Sequence, residues 1–272
     1  MTAEKVRFTE EQSTGLATLY GRALDSRLDE PILGDATAED AVRRIDYDFG
    51  KFGMTPSLAA SVAARAKMFD DRVRAFLREY PDATVLHLGA GMDSRAHRLD
   101  PGPEVRWFDV DYPDVIELRE RIYPARPGYR TIASSVTELG WLERVPKDRP
   151  ALVVAEGLTM YLTAEGGSAL LRGLAGSLPS GEMIFDTYSR AAIRMQRANP
   201  VVRRAGATLS WGVDDPRELE KLGITLVERL DVRDYATPEI LARIPRALRF
   251  QLKLLGAIPA LRNMGQILRY RF

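Results

Sequence analysis

One short segment restricts the fold of this chain more than any other. Residues 84–88 read Thr-Val-Leu-His-Leu, and Gly89, Ala90 and Gly91 follow directly. The segment is mostly apolar and does not alternate with polar residues, which is typical of a strand buried on both faces of a parallel sheet. The glycines after it allow a tight turn and a close approach of the backbone to a ligand.

Strands and helices alternate along the chain after this point. Further strands are predicted at 105–110, 129–133, 151–155 and 183–187, and helices at 115–122 and 164–176. This order predicts an α/β protein with a doubly wound, Rossmann-like sheet. Later in the chain, Asp215 and Pro216 predict a helix start. A strand at 224–232, a basic amphipathic helix at 238–255 and a strand at 266–272 are expected to follow.

The first 80 residues are predicted to form helices that pack outside the sheet. Apolar residues recur there at intervals of three or four, as at Leu16, Leu19 and Tyr20. A chain of 272 residues without a Ser/Gly-rich or Pro-rich linker fits one large domain with additions at least as well as two domains. We therefore expect an N-terminal helical part, 1–80, and a core, 81–272, in one structural unit with a late helical insertion.

Composition and charge exclude several function classes. Thirty-nine Lys and Arg oppose thirty-eight Asp and Glu, so the total charge favours neither nucleic acid nor a membrane as a partner, and the basic helix is interpreted as a solvated face. The absence of cysteine excludes thiolate chemistry, and two histidines are too few for a multi-histidine metal centre, so no metal is expected. Without a signal peptide or an apolar run of about 18 residues, a cytoplasmic protein is expected.

The residues after the first two strands of the core point to a nucleoside-containing cofactor. Asp111 follows Gly91 by twenty residues, the spacing at which an acid can bind the hydroxyls of a ribose. Nicotinamide dinucleotides and S-adenosylmethionine both use this arrangement. The third glycine of the dinucleotide fingerprint would fall at Ser94, and the sheet begins only after eighty residues of predicted helix. Both observations favour S-adenosylmethionine.

Three successive segments resemble one protein family. They are 85–95 (VLHLGAGMDSR), 107–116 (WFDVDYPDVI) and 155–162 (AEGLTMYL). Together with 22–26 (RALDS), Arg65 and 211–220 (WGVDDPRELE), they are similar to the leucine carboxyl methyltransferase family, in particular to its bacterial branch of the tetracenomycin polyketide carboxy-O-methyltransferase type. The resemblance covers nearly the whole chain, and it implies a class I S-adenosylmethionine-dependent O-methyltransferase whose N-terminal helices cover the cofactor.

The resemblance also implies which residues bind the cofactor. Gly89, with Ala90 and Gly91 in the same turn, matches the glycine that contacts the cofactor, and Asp111 matches the acid on the ribose. Arg65 matches the arginine that meets the methionine carboxylate, and Glu156 can face the ammonium or sulfonium group. The alternatives are that Arg65 is a surface helix residue and that Glu156 is a helix cap.

The chain departs from the leucine-specific members at the residues expected to contact adenine. Ser135 and Val136 stand where those members carry an Asp-Leu pair, so the Ser135 hydroxyl or the backbone is expected to hold adenine. Thr137 replaces an arginine that meets the protein substrate in those members, which argues against a protein phosphatase substrate. His87, inside a buried strand, is interpreted as a core residue.

The expected acceptor is a small carboxylic acid, such as a polyketide-like secondary metabolite. A carboxylate is ionised near pH 7, whereas a phenol needs a base, and neither histidine is placed as one. Four residues near the strand ends are candidates for the substrate pocket: Tyr161, Asp186, Tyr188 and Trp211. Phenol or hydroxyl O-methylation, a nicotinamide-dependent oxidoreductase and a non-catalytic S-adenosylmethionine-binding protein remain alternatives.

Overall fold

A seven-stranded sheet forms the centre of the protein. The computed structural model describes residues 4–5, 10–196 and 208–272. Two short strands near the amino terminus, β1 (Glu4–Lys5) and β2 (Ile45–Asp46), pair with each other. The strands of the large sheet are β3 (Thr84–Leu88), β4 (Arg106–Asp111), β5 (Tyr129–Ala133), β6 (Ala151–Ala155), β7 (Gly181–Tyr188), β8 (Thr225–Leu230) and β9 (Gly265–Arg271).

The order of the strands is β5-β4-β3-β6-β7-β9-β8. Strands β3 to β7 run parallel, and β9 is inserted antiparallel between β7 and β8. The order reverses between β3 and β6, where a crevice for a ligand opens at the carboxyl ends of the strands. The predicted doubly wound α/β sheet is confirmed, and each predicted strand of the core overlaps an observed one.

Helices flank both faces of the sheet. They are α1 (Glu10–Ser26), α2 (Ala36–Arg44), α3 (Pro56–Glu79), α4 (Arg95–Leu99), α5 (Pro113–Ile122), α6 (Ala164–Ser177), α7 (Arg190–Arg194), α8 (Pro238–Arg243), α9 (Arg246–Ala257) and α10 (Pro259–Arg262). Short 3₁₀ helices occur at Phe49–Phe52, Leu139–Arg144, Thr159–Tyr161 and Pro216–Leu222. Within the described part of the chain, none of the helices has the length and apolar character that crossing a bilayer requires.

Local sequence signals explain where these helices begin. Thr55 precedes α3, and its hydroxyl accepts a hydrogen bond from the Leu58 amide at 3.2 Å, while Pro56 occupies the first helical position. The predicted start at Asp215 is also observed, since its carboxylate accepts from the Arg217 amide at 3.0 Å. The element that follows is a short 3₁₀ helix.

The predicted single helix at 238–255 was wrong. The chain forms α8 and α9 instead, separated by Ile244 and Pro245. Ile244 adopts an extended conformation, with φ −89° and ψ 153°, because the ring of a following proline disfavours the helical region. Both helices belong to the insertion between β8 and β9, which agrees with the predicted late helical insertion.

The amino-terminal helices pack against the loops at the carboxyl ends of the strands. Leu16 and Leu19 of α1 share an apolar cluster with Met92, which follows the glycine turn, and with Leu118 of α5. Glycines make the closest approach, because a Cβ atom added to Gly15 would lie 3.6 Å from the Cα atom of Gly91. Helix α1 therefore lies directly on the turn that the sequence singled out.

Candidate active site

A cavity of about 430 Å³ opens at the carboxyl ends of β3, β4 and β6. Its volume lies within the range of about 300–1,000 Å³ that is typical of small-molecule sites. Residues of α1 and α3 line the side opposite the sheet. The cavity thus lies at the point where the strand order reverses, as the α/β architecture predicts.

The glycine turn after β3 forms one wall of the cavity. Gly89 and Gly91 have φ angles of +59° and +48°, in the left-handed region that favours glycine. A Cβ atom at Gly89 would lie 2.9 Å from a methyl carbon of Leu158, which is closer than carbon atoms pack. The left-handed conformation favours glycine at both positions, and at Gly89 a Cβ atom would also have to displace the Leu158 side chain. The backbone of Gly89, Ala90 and Gly91 therefore lies at the cavity wall.

Asp111 lies at the end of β4 beside this turn and lines the cavity. One carboxylate oxygen accepts a hydrogen bond from the Gly91 amide at 2.6 Å, and the other accepts from the Tyr112 amide at 2.7 Å. Burial raises the pKa of this carboxyl group above its ordinary value, against the opposing effect of the two amides. Each carboxylate oxygen has a further lone pair, so the group can also accept from the hydroxyls of a ligand.

Arg65 projects from α3 and joins two carboxylates that follow different strands. Its Nε lies 2.9 Å from Glu156 Oε1, and its Nη1 lies 3.0 Å from Asp186 Oδ2. The side chain is only 20% exposed. The alternative that Arg65 is an ordinary surface residue was therefore wrong, and the side chain lines the cavity.

Glu156 binds two guanidinium groups and does not cap a helix. Besides Arg65, it pairs with Arg95 of α4, which is fully buried. Burial favours the protonated acid, but the two arginines outweigh it and hold the pKa of Glu156 below its ordinary value. For Asp186 the balance is opposite, since burial outweighs Arg65 and raises its pKa. The cavity wall therefore combines fixed negative and positive charge.

Further buried ion pairs support this charged wall from behind. Arg95 Nε lies 2.7 Å from Asp70 Oδ1, and Arg95 Nη1 lies 3.2 Å from Asp93 Oδ2. Arg98 binds the same Asp70 through its Nε at 2.7 Å. Helix α3, the glycine-turn loop and α4 are thereby connected by charged side chains that water does not reach. Asp93 does not cap α4, because its carboxylate pairs with these arginines.

His87 has both ring nitrogens engaged by protein groups. Nδ1 lies 3.0 Å from Asp109 Oδ1, and Nε2 lies 3.3 Å from Arg95 Nη1. Because a guanidinium can only donate, Nε2 accepts and Nδ1 donates to Asp109. The prediction that His87 is a core residue with satisfied hydrogen bonds is confirmed, even though the ring borders the cavity.

The expected adenine contacts are only partly brought to the cavity. Val136 lines it, together with Ser134. The Ser135 hydroxyl instead lies 2.9 Å from the Thr137 hydroxyl on the outer side of the loop. The expectation that this hydroxyl faces the cofactor is therefore corrected, because the chain after β5 bends and turns at residues 134–137 and the Ser135 side chain does not line the cavity. A contact of adenine with the backbone of this segment stays a prediction.

The four candidates for the substrate pocket separate into two groups. Tyr161 and Tyr188 line the cavity. Trp211 does not, because it is buried in the core against α6, where a Cβ atom at Gly167 would overlap its indole ring. Asp186 lies behind the wall, with one oxygen bound to Arg65 and the other accepting from the Gly157 amide at 2.6 Å.

Arg22 and Tyr235 are among the residues that line the cavity but were not predicted from the sequence as site residues. Arg22 is 2% exposed and donates from Nη2 to the Met92 carbonyl at 3.2 Å. Arg22 begins the segment 22–26, which resembles the family, and this resemblance could have identified it as a site residue. Tyr235 reaches the cavity from the loop between β8 and α8, and no motif marks it.

Burial raises the pKa of Tyr161 to about 12 and raises that of Tyr235 as well, so neither phenol ionises near pH 7.

This donor set fits a nucleoside joined to an amino acid. The turn of Gly89 and Gly91 permits close backbone contact, Asp111 can accept from a ribose, and the wall formed by Arg65 and Glu156 offers opposite charges to a carboxylate and an ammonium group.

The sequence model of the family described as leucine carboxyl methyltransferase matches residues 15–175. The tetracenomycin polyketide synthesis O-methyltransferase of Streptomyces glaucescens is 44% identical over 271 residues, 99% of each chain. The chain belongs to the leucine carboxyl methyltransferase family. An S-adenosyl-L-methionine-dependent methyltransferase of Gibberella zeae is 37% identical over 256 residues, covering 85% of this chain and 86% of the relative.

Solved structures support the fold of this methyltransferase. A DUF574 family protein of Streptomyces avermitilis superposes with a TM-score of 0.59 at 17% identity, over 93% of this chain and 96% of that one. The magnesium protoporphyrin IX methyltransferase of Synechocystis gives a TM-score of 0.50 at 12% identity, over 87% and 95%. The predicted class, an S-adenosylmethionine-dependent methyltransferase, is confirmed.

Proposed function

We propose that this methyltransferase transfers a methyl group from S-adenosylmethionine to a carboxylate oxygen of a small polyketide-like acid and so forms a methyl ester. The observation that carries the choice of a carboxylate is the bonding of His87, whose two ring nitrogens are both held by protein groups. A carboxylate is already ionised near pH 7 and needs no base, whereas a phenol, with a pKa near 10, does. The similarity to the Streptomyces glaucescens O-methyltransferase of tetracenomycin polyketide synthesis supports the substrate class.

The residues proposed to hold the cofactor surround one end of the cavity. The backbone of Gly89, Ala90 and Gly91 would approach the nucleoside, Asp111 would accept from the ribose hydroxyls, and Val136 would border adenine. Arg65 and Arg22 would meet the methionine carboxylate, and Glu156 the ammonium group. When bound, the cofactor supplies an electrophilic methyl group on a sulfonium.

The chain's own contribution to the reaction is to position the acceptor and to exclude water. Methyl transfer requires the attacking oxygen in line with the methyl carbon, so orientation supplies most of the catalysis. Tyr161, Tyr188 and Tyr235 offer aromatic surface for an extended apolar acid, and their phenol groups can donate hydrogen bonds to it. Helices α1 and α3 form the wall of the cavity opposite the sheet, and we propose that they cover the cofactor. Both helices belong to the N-terminal helical part, 1–80, that is predicted from the sequence. A cytoplasmic location stays a prediction from the sequence.

The experiment that tests this proposal uses labelled S-adenosylmethionine and a panel of aromatic acids and phenols. We expect a labelled product whose mass exceeds that of the acid by one methyl group in place of a hydrogen. Mild base should hydrolyse this product back to the acid. A base-stable aryl ether would instead assign the enzyme to the phenol class. Binding of NAD in calorimetry, without binding of S-adenosylhomocysteine, would contradict the cofactor assignment.

A further inference from the structure

Helix α9 presents an apolar row to solvent. Phe250, Leu254 and Ile258 follow one another at intervals of four residues, so they share one side of the helix and its end. Their exposed fractions are 71%, 49% and 38%, which places them among the most exposed large apolar side chains of the described residues. Single exposed apolar residues are ordinary, whereas a row of them marks a contact surface.

The opposite side of α9 is already packed. Leu248 is buried in a cluster with Ile240 and Ile244 of the α8 region, and this cluster includes Ala60 and Ala63 of α3. Packing against the protein therefore accounts for one apolar side of the helix. The row of Phe250, Leu254 and Ile258 points the other way.

Positive charge accompanies the exposed row. Arg246, Arg249 and Lys253 are exposed. Arg249 and Lys253 directly precede Phe250 and Leu254, and Arg246 lies one turn before Phe250. The segment 240–262 contains five Lys and Arg and no Asp or Glu, although the whole chain has a net charge of only +1. The last acid before this segment, Glu239, is paired with Arg243 at 3.3 Å. The helix therefore carries charge that no acid of its own segment neutralises.

The charge distinguishes between possible occupants of this surface. A second copy of the chain would bring the same row of cations against itself, with no acid on the helix to compensate. An anionic partner is required. The apolar row lies on the exposed side of the helix, away from the cluster around Leu248, with the cations beside it, so it can enter a planar boundary. These are the features of helices that lie in a membrane interface.

We propose that α9 docks the protein on the surface of an anionic phospholipid membrane. Phe250, Leu254 and Ile258 enter the boundary between headgroups and acyl chains, and Arg246 and Lys253 meet lipid phosphates. This peripheral contact needs no spanning helix, and it departs from the sequence-based interpretation of the basic helix as an ordinary solvated face. With one short helix, the attachment is weak and reversible.

The position of α9 connects the docking surface with the cavity. The cluster under α9 includes α3, which carries Arg65, and Tyr235 packs against this cluster while it also lines the cavity. The benefit of docking for the reaction rests on the proposed function. An apolar acid and its uncharged methyl ester both partition into a membrane, so docking would bring the cavity next to the phase that holds them.

The test measures co-sedimentation of the full chain with vesicles, without any substrate. We expect binding to phosphatidylcholine vesicles that contain phosphatidylglycerol, little binding to phosphatidylcholine alone, and weaker binding as salt is added. Phe250→Ser combined with Leu254→Ser should lower the partition coefficient about tenfold or more, and Arg246→Gln with Lys253→Gln should do the same. Leu28→Ser is the matched control, since Leu28 is 51% exposed outside this helix, and it should change nothing.

Three results would overturn the proposal. One is that the wild type does not bind anionic vesicles, or that the Phe250→Ser, Leu254→Ser variant binds them as strongly as the wild type. Another is a dimer that the same variant abolishes, which would assign the surface to a second copy. The third is charge-dependent binding to an acidic protein with none to vesicles. All variants should methylate a water-soluble acid at the wild-type rate. Absence of methylation in every variant and in the wild type would contradict the proposed function alone.

Discussion

The two ends of the cavity are built in opposite ways. The end proposed to hold the cofactor is charged, and buried ion pairs of Arg65, Arg95 and Glu156 tie it to three separate elements. The end proposed to hold the acceptor is aromatic, and Tyr188 at the end of β7 and Tyr235 in the loop before α8 reach it from places far apart in the chain. The family match ends at residue 175, before both of these tyrosines. The cofactor end is thus firmly braced and lies largely within the span that the family model matches, whereas the acceptor end also draws on residues beyond that span.

The largest effect is expected at Arg95, which is fully buried and supports the cofactor end from behind. Arg95→Met would leave Asp70, Asp93 and Glu156 with one cation fewer. Removal of one partner from a buried ion pair destabilises a protein by about 3–5 kcal/mol. Urea unfolding measures the free energy. Arg172→Met, on the exposed side of α6, is the control and should stay within about 0.5 kcal/mol. Equal losses for both variants would show that the buried ion pairs of Arg95 do not brace the cofactor end.

Arg65 should affect cofactor binding next most strongly. Arg65→Ala removes a cation that faces the cavity, and loss of one partner from a charge-assisted pair costs about 2–5 kcal/mol of binding free energy. Titration calorimetry with S-adenosylhomocysteine should show affinity lowered by tens-fold or more. Because the variant also leaves Glu156 and Asp186 less compensated, Arg65→Lys serves as a comparison that keeps the charge. An affinity within about twofold of the wild type for Arg65→Ala would move this residue out of the binding site.

Tyr235 should have a smaller effect, and one confined to the acceptor. Tyr235→Ala removes one aromatic wall, and aromatic contacts contribute about 0.5–1.5 kcal/mol each. We expect the KM for an aromatic acid to rise about 2- to 10-fold, with the affinity for S-adenosylhomocysteine unchanged. Tyr235→Phe keeps the ring and isolates the contribution of the hydroxyl. A loss of cofactor affinity equal to the rise in KM would show that the two ends are not separate.

His87 should have the smallest effect on the rate. His87→Gln at saturating acid should stay within about tenfold of the wild-type rate, since loss of a true general base costs about 10²–10⁴. The profile of rate against pH should be flat from about pH 6.5 to 8.5 because no catalytic imidazole titrates there. His97→Gln is the matched control, as this residue contacts the Pro124 carbonyl away from the cavity. A larger loss for His87→Gln alone would assign a base to the braced end.

The two ends also differ in how far sequence reasoning reached them. Gly89, Gly91, Asp111 and Glu156 directly follow apolar strands, so a parallel sheet necessarily brings them to one edge. Arg65 lies before the sheet begins and was identified only through the family resemblance. Trp211 was a candidate because of its expected place near the strand ends, but it belongs to the core, because contact with α6 depends on packing that no local pattern records.

The sequence by itself determined the sheet, the glycine turn and the acids at the strand ends, because hydrophobic periodicity and turn residues act over a few neighbouring positions. Only the tertiary structure decided which long-range partners meet. It joined Arg65 to both Glu156 and Asp186, turned the Ser135 hydroxyl outward and brought Tyr235 to the cavity. These contacts join residues that are distant in the chain, and their geometry depends on how whole elements pack, which local propensity does not encode.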